Sequence, residues 1–226
     1  TGHSVGVRAV GRLAGHHGER VEGGAELELG AHPVGVLPDL AIGGAPYMFR
    51  DFAHWKKFST SPLFTELGEG YRQKSGGNKV LAITYYGERQ VTSNKAINKP
   101  EDMKGLKIRV PDAPLYTMFP RAVGANPTPI AFAEVYLALQ NGTVDAQENP
   151  LPTIDAKKFY EVQKYIVLTG HITDALLTIV GAPTWAKLSD ADKKTFEEVF
   201  REAAARATNQ IIEIEAKLGA EFAKRG

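Results

Sequence analysis

Residues 105–113 read GLKIRVPDA, and the fold turns on how the arginine in the middle of that stretch is housed. Strand side chains alternate between faces, so Leu106, Ile108 and Val110 share one side while Lys107 and Arg109 share the other. On a solvated edge strand that alternation needs nothing further. In a parallel sheet covered on both faces, Arg109 needs an anion, because burying an unpaired charge is costly.

The surrounding text favours the covered sheet. LKIRV is stopped by Pro111, and residues 113–123 fit a short helix closed by Gly124. After the proline-rich turn ANPTPI, the run FAEVYLALQ reads as a helix ended by Asn141 and Gly142. TVDAQ reads as a brief strand, ENPLP as irregular and TIDAKKFYEVQ as helical, while YIVLTGHI and ALLTIVGAP read as buried strands. Upstream, KVLAITYYGERQVTSN reads as two strands separated by a break at Gly87, and Phe52, Trp55, Phe58, Phe64 and Leu67 mark helices. Strands alternating with helices predict an α/β fold with a largely parallel sheet. Ser189 with Asp192 resembles a capping box, and apolar positions from Phe196 to Phe222 keep one stripe, which predicts a single long C-terminal helix. At about 1.5 Å per residue such a helix is longer than one small domain is wide, so it is expected to bridge two lobes.

Composition narrows the function classes. The 226 residues are 43% hydrophobic and 23% charged, enough for one large domain or two small ones. A formal net charge of +1 argues against a general nucleic-acid surface, and no Lys/Arg run marks a basic arm. The absence of cysteine excludes disulfides, thiolate catalysis and Cys-ligated metal. No apolar run approaches the roughly 18 residues of a membrane span. The opening residues lack the pattern of a secretion signal, so any export signal is expected to have been removed or left out of this chain. Residues 1–37 hold 9 of the 23 glycines and 4 of the 6 histidines and sustain no periodicity.

Enzymatic constellations are not found. His16 and His17 lack a third ligand at metal spacing, and His54 and His171 have no HExxH around them. Gly43-Gly44 and Gly76-Gly77 match no phosphate loop, and no GxSxG elbow is present. The carboxylates of Glu134, Asp145 and Glu148 are acid/base candidates, but spacing alone does not bring two of them together. The arginines carry more. Ligands of open α/β sheets collect at the carboxyl ends of strands. Arg89 and Arg109, brought to such a cleft, would suit an organic acid, since planar guanidinium forks bind carboxylates through paired charge-assisted hydrogen bonds. The alternative is that either arginine pairs with a carboxylate of the protein itself.

Residues 88–172 contain the ordered series RQVTSN, DMKGLKIRVP, PTPIAF, EVYLALQNGTVDAQENP and KFYEVQKY. This series closely resembles the solute-binding proteins of tripartite ATP-independent periplasmic (TRAP) transporters, of the C4-dicarboxylate and sialic-acid-binding type. Weaker similarity runs from about Leu40, through PYMFRDF, to the C-terminal helix. The resemblance implies a two-lobed periplasmic-binding-protein (flytrap) fold with a hinge and a long C-terminal helix spanning both lobes. It implies lobe I from 1–86 plus 175–213 and lobe II from 87–174 plus 214–226. It also implies that Arg109 makes a bidentate salt bridge to the ligand carboxylate, with Arg89, Phe132 and Asn149 as further contacts and Asp112 and His171 as lesser ones. The expected function is periplasmic capture of an organic acid anion, a C4-dicarboxylate or related carboxylate, by a monomer that docks onto a membrane permease, with no catalysis, cofactor or metal. Two rivals stand beside it: an α/β enzyme with Arg109 as substrate clamp and Glu148 or His171 as acid/base, and a ligand-binding sensor domain. Residues 1–36 depart from the family's opening strand and helix and are expected to be a non-homologous or frame-shifted start.

Overall fold

A computed structural model describes residues 35–225. The readings made for the 34 residues before them, the His16-His17 pair and the atypical start included, lie outside the described residues. The chain divides into two compact units. Among the described residues, one holds those up to Gly43, Phe49–Tyr86 and Ala175–Ile211; the other holds Gly44–Met48, Gly87–Asp174 and those from Ile212 onward.

In the first unit, helix α1 (Phe52–Ser59) starts at Asp51, whose side chain accepts from the His54 N–H at 2.7 Å. Helix α2 (Pro62–Lys74) starts at Ser61, with Pro62 in the first turn where its missing N–H costs nothing. Trp55 is buried against the rings of Phe52 and Tyr85. A second apolar cluster joins Leu37, Tyr71 and Ile179. Helix α6 (Ala182–Lys187) follows strand β6 (Thr173–Val180), and the 36-residue helix α7 (Asp190–Arg225) begins behind Ser189. The Ser189 hydroxyl accepts from the Asp192 N–H at 3.1 Å and donates to the Asp192 carboxylate at 2.7 Å. The backbone half of the predicted capping box is therefore formed, while its reciprocal half runs to the hydroxyl. The single long C-terminal helix is as read from its stripe.

Strand β1 (Lys79–Ser93), β6 and α7 each contribute residues to both units. In the second unit follow β2 (Lys107–Val110), α3 (Pro114–Ala122), β3 (Asn126–Pro129), α4 (Val135–Gln140), β4 (Ala146–Pro150), α5 (Leu151–Ala156) and β5 (Tyr165–Val167). The sheet order is β3-β2-β4-β1-β5, with β6 also paired to β1. β2 is parallel to β3 and β4, but β1 is antiparallel to β4 and β5, so the sheet is mixed rather than largely parallel.

Four local readings differ from the structure. β1 is one continuous strand, because Gly87 at φ +118° lets the chain bend without leaving the sheet; a Cβ there would lie 2.5 Å from Glu215 Oε1. ANPTPI contains β3 rather than only a turn. The Asn126 N–H donates to the Leu106 carbonyl just before β2 and the Ile130 N–H to the Val110 carbonyl at its end, and Pro127 and Pro129 fall between these donors on an edge strand, where no N–H is required. ENPLP is ordered as the end of β4 and the start of α5, and TIDAKKFYEVQ is interrupted at Lys158, which takes φ 54°.

The sheet of this unit is covered on both faces. Ile108, Phe119 and Val91 pack on one side, while Val135, Leu139, Ile154, Phe159 and Leu218 form a separate cluster. Arg109 is 2% exposed.

Candidate functional site

β2 lies between β3 and β4, which sets Arg109 opposite Thr128 on one side and Gln147 on the other. Its Nε and Nη2 both donate to the Ile130 carbonyl, at 2.8 and 2.6 Å. The Phe132 ring lies 5.7 Å from its Cζ. Phe132 is held in turn by an edge contact with Phe159, ring centroids 6.4 Å apart. The carbonyl and the ring face both orient the guanidinium.

Arg89, near the bend of β1, is 3% exposed and has a different environment. Its Nε donates to Glu148 Oε2, its Nη2 donates to Glu148 Oε1 at 2.9 Å and to the Glu148 carbonyl at 2.7 Å, and its Nη1 donates to Asp174 Oδ2 at 2.5 Å. The guanidinium also lies 4.9 Å from the Tyr116 ring centroid. Burial opposes the charge of Arg89, yet the two carboxylates hold it firmly protonated. Burial alone would raise the Glu148 carboxyl, but the Arg89 charge and the hydrogen bonds from His171 and Arg89 outweigh it and hold Glu148 below the usual carboxylate range. His171 Nε2 is 3.1 Å from Glu148 Oε2, its Nδ1 is 2.8 Å from the Thr169 hydroxyl, and its ring stacks on Phe119 at 4.0 Å. Burial pushes the Tyr116 hydroxyl well above its ordinary value, reinforced by the neighbouring Asp174.

A line of buried amides runs from this cluster along β4. Arg89 Nη2 donates to Asn149 Oδ1 at 3.2 Å, and Asn149 Nδ2 donates to Gln147 Oε1 at 2.6 Å. Gln147 Nε2 donates to the Thr92 hydroxyl at 3.1 Å, which donates to Gln163 Oε1 at 3.0 Å. Gln163 Nε2 ends the line on the Val162 carbonyl at 3.2 Å.

The structure therefore brings Arg89, Asn149 and His171 together around Glu148, and sets Arg109 against Phe132. Asp112 is exposed in the turn after β2. The three acid/base candidates are not assembled: Glu134 is exposed, Asp145 accepts from the Lys107 N–H at 2.8 Å, and Glu148 is committed to Arg89. Among the described residues no group of His, Asp and Glu is arranged to hold a metal ion. Asp174, Tyr116 and Gln147 were not singled out from sequence. Gln147 and Asn149 alternate on a strand that a mixed sheet buries, and that alternation is the signal that points to their pairing.

Comparison with known proteins bears on this geometry. The family profile described as DctP, bacterial extracellular solute-binding protein, family 7, matches residues 30–226. The sialic acid-binding periplasmic protein SiaP of Vibrio cholerae is 41% identical over 184 residues, covering 80% of this chain and 56% of its own length. The 2,3-diketo-L-gulonate-binding periplasmic protein YiaO of Escherichia coli K12 is 35% identical over 185 residues, covering 81% and 56% respectively. A TRAP periplasmic solute-binding protein from Haemophilus influenzae, solved with bound L-gulonate, superposes with a TM-score of 0.80 at 32% identity, over 84% of this chain and 62% of its own. One from a Polaromonas species, bound to D-erythronate, gives 0.75 at 35% identity, over 85% and 62%. The chain thus spans a little over half the length of these curated relatives.

Proposed function

The chain belongs to the bacterial extracellular solute-binding proteins of family 7, with the two-lobed α/β fold of TRAP periplasmic solute-binding proteins, and from that premise we propose that it captures an organic acid anion. The observation that carries the reading is Arg109: a permanently charged fork, almost fully buried, oriented by the Ile130 carbonyl and backed by the Phe132 ring. A ligand carboxylate matches the geometry of such a fork through paired charge-assisted hydrogen bonds, and burial strengthens that pairing relative to water. Asn149 adds an amide for a second oxygen, and Phe132 an apolar wall. Arg89 serves the site by holding Asn149, with its charge balanced by Glu148 and Asp174. Glu148 and His171 support that arrangement and transform nothing.

The ligand class is a polyhydroxylated monocarboxylate in preference to a C4-dicarboxylate. L-Gulonate and D-erythronate, carried by two structural relatives, each offer one carboxylate and several hydroxyls. Location in the periplasm and delivery to a membrane permease complete the proposal; among the described residues no helix is long and apolar enough to cross a membrane.

The test is a thermal-shift and calorimetric screen with L-gulonate, D-erythronate, sialic acid and succinate. A ligand at 100 times its Kd stabilises by about 2.7 kcal/mol. The sugar acids are expected to give the larger shifts. Arg109→Ala removes the response, and Arg109→Lys keeps only part of it because an ammonium cannot reproduce the fork. An unchanged response in Arg109→Ala overturns the site.

A further inference from the structure

We propose that Gln147 is a positioning residue that fixes which face of the Asn149 amide meets the ligand, and so tunes affinity without touching the ligand itself. The inference rests on the carboxylate-site reading above.

Donor and acceptor roles along the buried line fix the orientation of the Asn149 amide. At one end of the buried line, Arg89 can only donate, so the Asn149 atom 3.2 Å from its Nη2 must be the oxygen. At the other end, Gln163 gives its amide hydrogens to the carbonyls of Val162 and Asp145, at 3.2 and 3.5 Å, so its oxygen is left to accept from Thr92. The single Thr92 proton is spent there, and its hydroxyl must accept from Gln147 Nε2. Gln147 is thereby turned with Oε1 toward Asn149, where it accepts from Nδ2 at 2.6 Å. Both ends impose the same orientation on Asn149. What remains of its amide is one N–H and one acceptor lone pair, presented in a fixed arrangement.

Gln147 is well placed for this. It is fully buried, it lies opposite Thr92 on β1 and opposite Arg109 on β2, and it precedes Asn149 by two residues on the same face of β4. Without its oxygen, the Asn149 Nδ2 loses a buried acceptor and the amide is held from the Arg89 side alone.

The test is a double-mutant cycle on Gln147→Met, which keeps length and apolar bulk, and Asn149→Ala. Affinity for L-gulonate, or for whichever acid the screen returns, is measured by calorimetry alongside the Tm of the ligand-free protein. Gln147→Met is expected to weaken binding about tenfold in the wild-type background and less than twofold once Asn149 is alanine. Thr92→Val, which removes the same relay one step back, is expected to weaken binding by a smaller factor and to add nothing to Gln147→Met. In ¹⁵N-labelled protein without ligand, the Asn149 side-chain NH₂ signals shift and broaden in Gln147→Met. Equal weakening in both Asn149 backgrounds, or unchanged Asn149 signals, overturns the proposal. Failure of the carboxylate reading shows differently: no acid binds the wild-type protein, or Arg109→Ala binds normally, while the NMR arm still reports on Gln147.

Discussion

At the scale of single residues, the two arginines of this chain part company. Arg109 was legible as a buried charge, because it stands between Ile108 and Val110 on a strand predicted to be covered on both faces, where an arginine is expected to need an anion. For Arg89 the alternative of a pair with the protein's own carboxylates holds, but its partners were not legible: they sit 59 and 85 positions along the chain, beyond any local pattern. That pair yields a pH prediction. Because Glu148 is held below the usual carboxylate range in the folded state, its ionised form contributes stability that is fully present above the unfolded value of about 4.3 and is lost as pH falls through the depressed folded value. Glu148→Gln removes the charge permanently. It is expected to cost about 3 kcal/mol at pH 7, the low end for breaking a buried pair, since Asp174 still faces Arg89. Urea unfolding at pH 7 and pH 4 checks this, and the gap between wild type and variant should narrow in acid. A gap of equal size at both pH values contradicts the linkage.

At the scale of elements, the sequence was most readable where one physical signal spoke alone. The stripe that ends at Phe222 needed only helical periodicity, and α7 followed it. Competing signals misled elsewhere. Gly87 is a breaker by composition, but its positive φ serves a bend within β1 because the Glu215 carboxylate and Pro150 approach too closely for any side chain. Pro127 and Pro129 argue against a strand unless that strand is an edge, and edge position is a property of the sheet that no single segment carries. The start of α7 offers a test of a local signal read correctly. Ser189 satisfies the Asp192 N–H, so Ser189→Ala is expected to lower stability by about 1 kcal/mol, and Ser189→Gly by only a few tenths. Thermal unfolding followed by circular dichroism distinguishes the two; equal Tm values for Ser189→Ala and wild type would show that the cap is replaced by water.

At the scale of the whole molecule, each unit is assembled from separated stretches, and β1, β6 and α7 belong to both. Helices and sheet strands form cooperatively, so continuous elements shared in this way couple the stability of one unit to that of the other. The chain carries its own probe of that coupling. Its only two tryptophans, Trp55 and Trp185, both fall in the first unit, while Ile154 is fully buried in the apolar cluster of the second with Leu151, Phe159 and Leu218. Ile154→Ala is expected to cost about 2–5 kcal/mol through lost burial and the cavity left behind. For a chain of this size that corresponds to a Tm fall of about 2–4 °C per kcal/mol. If the shared elements bind the units into one cooperative block, tryptophan fluorescence reports the same fall as far-ultraviolet circular dichroism, although neither tryptophan is in the unit that was altered. If the units unfold independently, the fluorescence transition stays where it is in the wild-type protein and only part of the dichroism signal moves. The coincident shift is the expected result, because loss of the second unit strips α7 of its last residues and β1 of its pairing with β4 and β5.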